Sequence, residues 1–160
     1  MPKEIKEQVV SHVDIPRFMG DWFVIASIPT PFEKGVYNGL ETYTWNEEKK
    51  RVDISFTFRK KGFNGKKGEI TQKGWIADTV GNSHWLVQPF WPLKFDYLVI
   101  DLAEDYSWTT VGVPDKSYVW IMARKSSMGP EDYQLAISRL KKLGYRLDDL
   151  KKVPQNGDKP

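Results

Sequence analysis

From residue 20 to residue 124, apolar and polar side chains trade places with a period of two. The pattern is clearest over 51–59, "RVDISFTFR". There Val52, Ile54, Phe56 and Phe58 share one face while Asp53, Ser55, Thr57 and Arg59 share the other, as in a strand with one face buried and one wet. Runs of the same kind at 20–28, 38–46, 68–77, 84–90, 95–102, 106–113 and 117–124 bring the expected strands to eight. Between them lie short turn-forming segments: "EEKK" at 47–50, "KGFNGKKG" at 61–68, "DTVGNS" at 78–83, "PLK" at 92–94, "AED" at 103–105 and "PDKS" at 114–117. Connections this short predict antiparallel hairpins. The longer one, from Pro29 to Tyr37, is the expected lid or mouth loop.

After the eighth run the period changes. Tyr133, Ala136, Ile137 and Leu140 fall on one face at helical spacing, with Ser126 or Ser127 as cap, Pro130 at the start, Glu131 and Asp132 in the first turn, Lys141 and Lys142 in the last, and Gly144 as the stop. The eighth run is mostly apolar on both faces, so this helix over 129–143 is expected to cover the outside of the sheet. Eight antiparallel strands followed by one helix predict an all-β fold, an up-and-down barrel closed on itself so that no strand edge is left open. The expected layout is a single domain over 1–160, with an N-terminal arm (1–16), the barrel (20–124), the helix (129–143) and a tail (151–160). A barrel of eight strands holds one small ligand or is filled by its own side chains.

Composition narrows the chemistry. Aromatic residues make up 14% of the chain, enough rings to line an interior. With no cysteine, disulfides and Cys-based metal or redox sites are excluded, and His12 and His84 alone supply neither a nucleophile dyad nor a metal cluster of the usual spacing. No cofactor is expected. The net charge of +3 is scattered rather than gathered in a block, so no nucleic-acid partner is expected. No stretch approaches the roughly 20 apolar residues of a bilayer span, and "MPKEIKEQVV" lacks the apolar core of a signal peptide.

Gly20 and Trp22 open the first strand and Arg124 closes the eighth. In a closed barrel these strands are neighbours, so Arg124 is expected to lie over the face of Trp22 and plug one end. Phase from Trp22 puts Val24, Ala26 and Ile28 inside and Phe23 and Ile25 outside. The stretches "GDWFVIASIP" (20–29), "FEKGVYNGLETYTW" (32–45), "KGWIAD" (73–78), "FDYLVIDLAEDYSW" (95–108) and "YVWIMARK" (118–125) resemble the lipocalin family over about residues 14–154. More narrowly, they are similar to the bacterial outer-membrane lipocalins that resemble apolipoprotein D. In that resemblance Gly20 and Trp22 match the first family motif and Arg124 the third. The second, usually Thr-Asp ahead of a tyrosine, reads Asp101 and Leu102 ahead of Tyr106, so the family's hydrogen-bonding pair in that loop is altered.

Alternation together with the resemblance points a set of side chains inward: Tyr43 and Trp45, Val52, Ile54, Phe56 and Phe58, Trp85 and Val87, Tyr97 and Val99, and Tyr118, Trp120 and Met122. Phe32, Tyr37, Phe90 and Trp91 are expected at the mouth, in contact with ligand or with a membrane surface. Glu41 shares the inward phase of Tyr43. It either meets the cationic part of a head group, pairs with a loop lysine such as Lys34, or turns to solvent. The resemblance implies a non-enzymatic protein that carries or stores a fatty acid or lysophospholipid by burying its acyl chain. Two alternatives stay open: an enzyme on the same barrel, with Glu41 or Asp101 as acid or base, and a single-stranded nucleic-acid binder. The family also implies the periplasmic side of the outer membrane, although the anchoring cysteine and signal are absent from this sequence, and a soluble cytoplasmic chain is the alternative. Monomer and homodimer are both compatible with exposed mouth aromatics.

Overall fold

A computed structural model describes residues 2–160; Met1 lies outside them. The alternating runs become β1 (Gly20–Ile28), β2 (Val36–Asn46), β3 (Arg51–Lys60), β4 (Lys67–Ile76), β5 (His84–Gln88), β6 (Phe95–Leu102), β7 (Trp108–Gly112) and β8 (Val119–Ala123). Each pairs antiparallel with its neighbour in sequence, and β1 pairs with both β8 and β2, which closes the barrel. β2 begins two residues earlier than predicted. β5 stops at Gln88, ahead of Pro89, and β7 is shorter than expected because Tyr106 (φ +60°) belongs to the preceding turn, its N–H donating to Ala103 O.

The C-terminal helix packs on the outside of the sheet over Pro130–Lys142, and with the two short helices of the N-terminal arm, α1 (Lys3–Lys6) and α2 (Ile15–Phe18), it is α3. Acidic residues occupy its first turn and Arg139, Lys141 and Lys142 its last, matching the helix dipole. Neither Ser126 nor Ser127 caps it: the N-cap position is Gly129, and no side chain bonds there. The stripe of α3 buries Ala136 and Leu140 against Leu98, Ile100, Val119, Ile121 and Ala123 on the outer barrel wall. A second apolar cluster fills the lower interior, built on Phe18, Trp22, Tyr43, Val52, Trp85, Val99 and Val111.

Ala26 and Ile28 belong to the outer cluster, not to the interior. A β-bulge between Val24 and Ala26 inserts one unpaired residue against β8, so the alternation reverses at Ile25. Val24, opposite Met122, still faces in; Ala26, opposite Ile121, faces α3; and Ser27, opposite Trp120, takes the inward place. A matching irregularity between Tyr37 and Leu40 interrupts β2 against β3.

The last ten residues do more than trail from the helix. Lys151–Lys152 form a short strand, β9, on β1 beside the first bulge. Beyond it, Gln155 Nε2 donates to Val24 O (2.9 Å) and Gly39 O (3.0 Å), while Asn38 N donates to Pro154 O (2.9 Å). The register of β1 on β2 runs only from Gly20 to Phe23. The tail therefore bridges the two strands beyond the point where their own ladder ends.

Candidate functional site

Arg124 closes one end of the barrel. Its guanidinium carbon lies 3.7 Å from the Trp22 ring centroid, and its Nη1 and Nη2 donate to the carbonyls of Asp21 and Arg17, each at 2.8 Å. Trp22 Nε1 in turn donates to Phe18 O (2.9 Å). Gly20 has φ +96°, a conformation that a side chain would strain, and this lets the chain turn from the N-terminal arm into β1 beside the guanidinium. Tyr106, in the altered second motif, supports the same end: its hydroxyl accepts from Asp14 N (2.9 Å) and Arg17 lies over its ring.

Above this plug is an aromatic floor. Phe18 packs on Trp22, Tyr43 and Trp85 with centroids 5.1–5.6 Å apart, and Trp85 stacks on Tyr97 at 5.3 Å. The hydroxyls of Tyr43 and Tyr97 share a hydrogen bond. Burial pushes both phenols well above the ordinary tyrosine range, so the pair stays neutral.

Over the floor opens a cavity of about 560 Å³ that reaches the mouth. Of the side chains expected to point inward or to sit at the mouth, Phe32, Glu41, Tyr43, Ile54, Phe56, Val87, Tyr97, Tyr118, Trp120 and Met122 line it. Trp85 and Val99 are buried in the interior cluster beneath the cavity and do not line it. Phe58 also points inward, but it packs against Phe56 and over Gly68, where a Cβ would fall 2.4 Å from its ring. Tyr37 is the clear departure: paired opposite Arg59 ahead of the β2 irregularity, it packs edge-on against Phe63, away from the cavity. Asp101 is excluded from the wall as well. It sits opposite Thr110, within the field of Arg139 on α3, and its carboxyl accepts from its neighbour's N–H.

The wall also holds residues outside the predicted set. Val111 and Val113 follow the period of β7 and were open to the same alternation argument. Ile70 and Gln72 share a face of β4, but the polar Gln72 hides the pattern. At the rim, a short 3₁₀ turn over Pro31–Glu33 forms the predicted mouth loop. Glu33 caps it through Thr30 and accepts from Trp120 Nε1 (2.9 Å), tying the loop to β8. Phe90 reaches the rim from the β5–β6 connection, while Trp91 borders a separate, more polar depression on the outer face of β2–β4.

Glu41 points into the cavity, as its phase requires. It is 8% exposed, its Oε2 is wholly buried, and among the described residues no side-chain hydrogen bond reaches it. Burial, and next the nearby Glu33 carboxylate, hold its carboxyl well above the usual range. Lys34 is not its partner. No grouping of His, Asp and Glu suited to a metal ion occurs among the described residues.

Residues 13–155 match the model of a family described as a lipocalin-like domain. Temperature-induced lipocalin-1 of Arabidopsis thaliana is 31% identical over the whole chain and 89% of its own length. Outer membrane lipoprotein Blc of Escherichia coli is 28% identical over 93% of this chain and 83% of its own. Among solved structures, the cockroach allergen Per a 4 superposes with a TM-score of 0.68 at 16% identity, covering 93% of this chain and 92% of its own. Insecticyanin of the tobacco hornworm Manduca sexta gives 0.68 at 17%, covering 91% and 82%. At these identities the two structures speak for the fold alone.

Proposed function

Because the chain belongs to the lipocalin family, whose members bind small hydrophobic ligands, we propose that it carries or stores an acyl-chain amphiphile, a fatty acid or a lysophospholipid, in the barrel cavity. The observation that carries this reading is the cavity itself. Its volume of about 560 Å³ lies within the roughly 300–1,000 Å³ of small-molecule sites, and its wall is mostly apolar and aromatic above a packed aromatic floor. Each methylene moved from water onto that wall gains about 0.8 kcal/mol, offset in part by the ordering of the chain. Phe32, Glu41, Tyr43, Phe56, Val87, Tyr97, Trp120 and Met122 are the side chains we assign to ligand contact.

No chemical step is needed for this task, and Asp101, one of the two acids that an enzymatic reading would call on, faces α3 instead. A nucleic-acid strand would find no basic residue along the wall among the described residues. A location at the outer membrane draws its support from the relatives described as outer membrane lipoproteins, and fractionation of the native cells tests it. The binding reading is tested by tryptophan fluorescence during titration with a fatty acid and a lysophospholipid bearing brominated chains. Saturable quenching is expected, because Trp120 lines the cavity and Trp85 backs its floor. Absence of quenching by either ligand contradicts it.

A further inference from the structure

The chain as a whole is positively charged, at +3. Among the described residues its cavity wall nevertheless holds three acids, Glu33, Glu41 and Asp96, and no Lys, Arg or His. Asp96 already has a partner, its Oδ1 lying 2.7 Å from His84 Nε2. Glu33 is held at the rim: Oε1 accepts from the Thr30 hydroxyl (2.7 Å) and backbone N–H (3.3 Å), and Oε2 accepts from Trp120 Nε1 (2.9 Å). Glu41 differs from both. It is more than nine-tenths buried, lines the cavity, and has an unpartnered carboxyl. A buried polar group left unmatched by the protein has only the lumen from which a partner can come.

We propose that the cavity ranks amphiphiles by head-group charge, favouring an ammonium group between Glu33 and Glu41 over a carboxylate, so that a fatty acid binds more weakly than a lysophospholipid with an ammonium in its head. This rests on the reading of the cavity as an acyl-chain site and ranks the heads that such a chain can carry. An ammonium meets two carboxyl groups and the rings of Tyr118 and Trp120, which lie 6.5 Å apart on the same wall. A carboxylate in the same place meets the Glu33 carboxylate and no countercharge, with only the neutral Glu41 carboxyl to donate to it. Two cations near the ends of the barrel are engaged elsewhere. Lys60 Nζ donates to the loop carbonyls of Phe32 (3.0 Å) and Lys34 (2.6 Å), and Arg124 is bound at the closed end. The groups facing Glu41 in the interior are Glu33 and the Tyr43–Tyr97 pair, none of them cationic. Burial favours the protonated Glu41 carboxyl in the free protein, so a cation that draws it into the charged form releases its proton to solvent.

The test uses three ligands that share one chain, dodecyltrimethylammonium, dodecanol and dodecanoate, each below its micelle concentration. They are titrated at neutral pH into the full chain and into Glu41→Gln and Glu33→Gln. The cation is expected to bind at least about tenfold tighter than the anion, with the alcohol between them, and the gap to shrink in both variants. Calorimetry of the unmodified protein in two buffers of different ionisation enthalpy is expected to show proton release with the cation and none with the alcohol, whatever the folding of the variants. An anion bound as tightly as the cation, alongside an alcohol that binds, overturns the selectivity and leaves the acyl-chain site standing. Failure of all three ligands overturns both. An undiminished gap in Glu41→Gln and Glu33→Gln removes these carboxyls from the mechanism.

Discussion

Arg124 and Trp22, 102 positions apart in the sequence, meet with the guanidinium carbon 3.7 Å above the indole centroid, and both ends of the guanidinium are tied to backbone carbonyls. Arg124→Ala loses the stacking and leaves the Asp21 and Arg17 carbonyls without their donor. A loss of about 2 kcal/mol is expected, read as a lower urea midpoint at unchanged slope. Arg124→Lys keeps the charge but not the planar fork, so it is expected to recover only part of that loss.

Glu41 makes stability depend on pH. Its folded carboxyl titrates above its unfolded one, because burial and then Glu33 disfavour the charge. Below the ordinary carboxylate range both states hold the proton. As pH rises past that range the unfolded chain ionises first, so stability falls until the folded group has titrated too. Glu41→Gln removes this slope. It is expected to match the unmodified protein near about pH 4 and to exceed it by about 1–3 kcal/mol near about pH 8, in parallel urea titrations. Asp101, half-buried and shifted upward by desolvation, contributes a slope of the same sign that the variant leaves in place.

Gln155 spans the β1–β2 seam beyond the reach of their own ladder. Gln155→Ala strands the carbonyls of Val24 and Gly39, and a loss of about 1–3 kcal/mol is expected. Hydrogen exchange should locate the effect along β1 and the start of β2. Unchanged protection there would mean that the tail does not brace the seam.

Much of this architecture can be read directly from alternation. Val52, Ile54 and Phe56 keep one phase through β3, and Gly20, Trp22 and Arg124 mark the closed end in the sequence itself. What alternation does not carry is the bulge. At Ile25 one extra residue reverses the phase, sending Ala26 and Ile28 to the helix side, and the irregularity after Tyr37 leaves that ring against Phe63. A bulge is set by register against a partner strand, and neither partner's register is written in the local sequence. The tail escapes for a related reason. "KKVPQNGDKP" is polar and broken by proline and glycine, yet it binds through backbone groups that the two bulges expose. Glu41 shows the opposite case: its phase was clear, but only the packed interior reveals that its carboxyl has no partner.

Val87 lines the cavity from β5. Val87→Trp fills ligand space with an indole and is expected to weaken acyl-chain binding by about tenfold or more. Because the ring enters existing space, the stability cost should stay at or below the roughly 1–3 kcal/mol of ordinary overpacking. Fluorescence titration alongside a thermal melt separates the two effects.

The central claim is that one acyl chain enters this barrel. Native mass spectrometry of the protein mixed with a lysophospholipid and a fatty acid tests it most directly, with Val87→Trp measured in parallel. A discrete one-to-one adduct that is lost or sharply reduced in the variant is the expected result. No adduct, or ragged multiple adducts equally abundant in Val87→Trp, would contradict it.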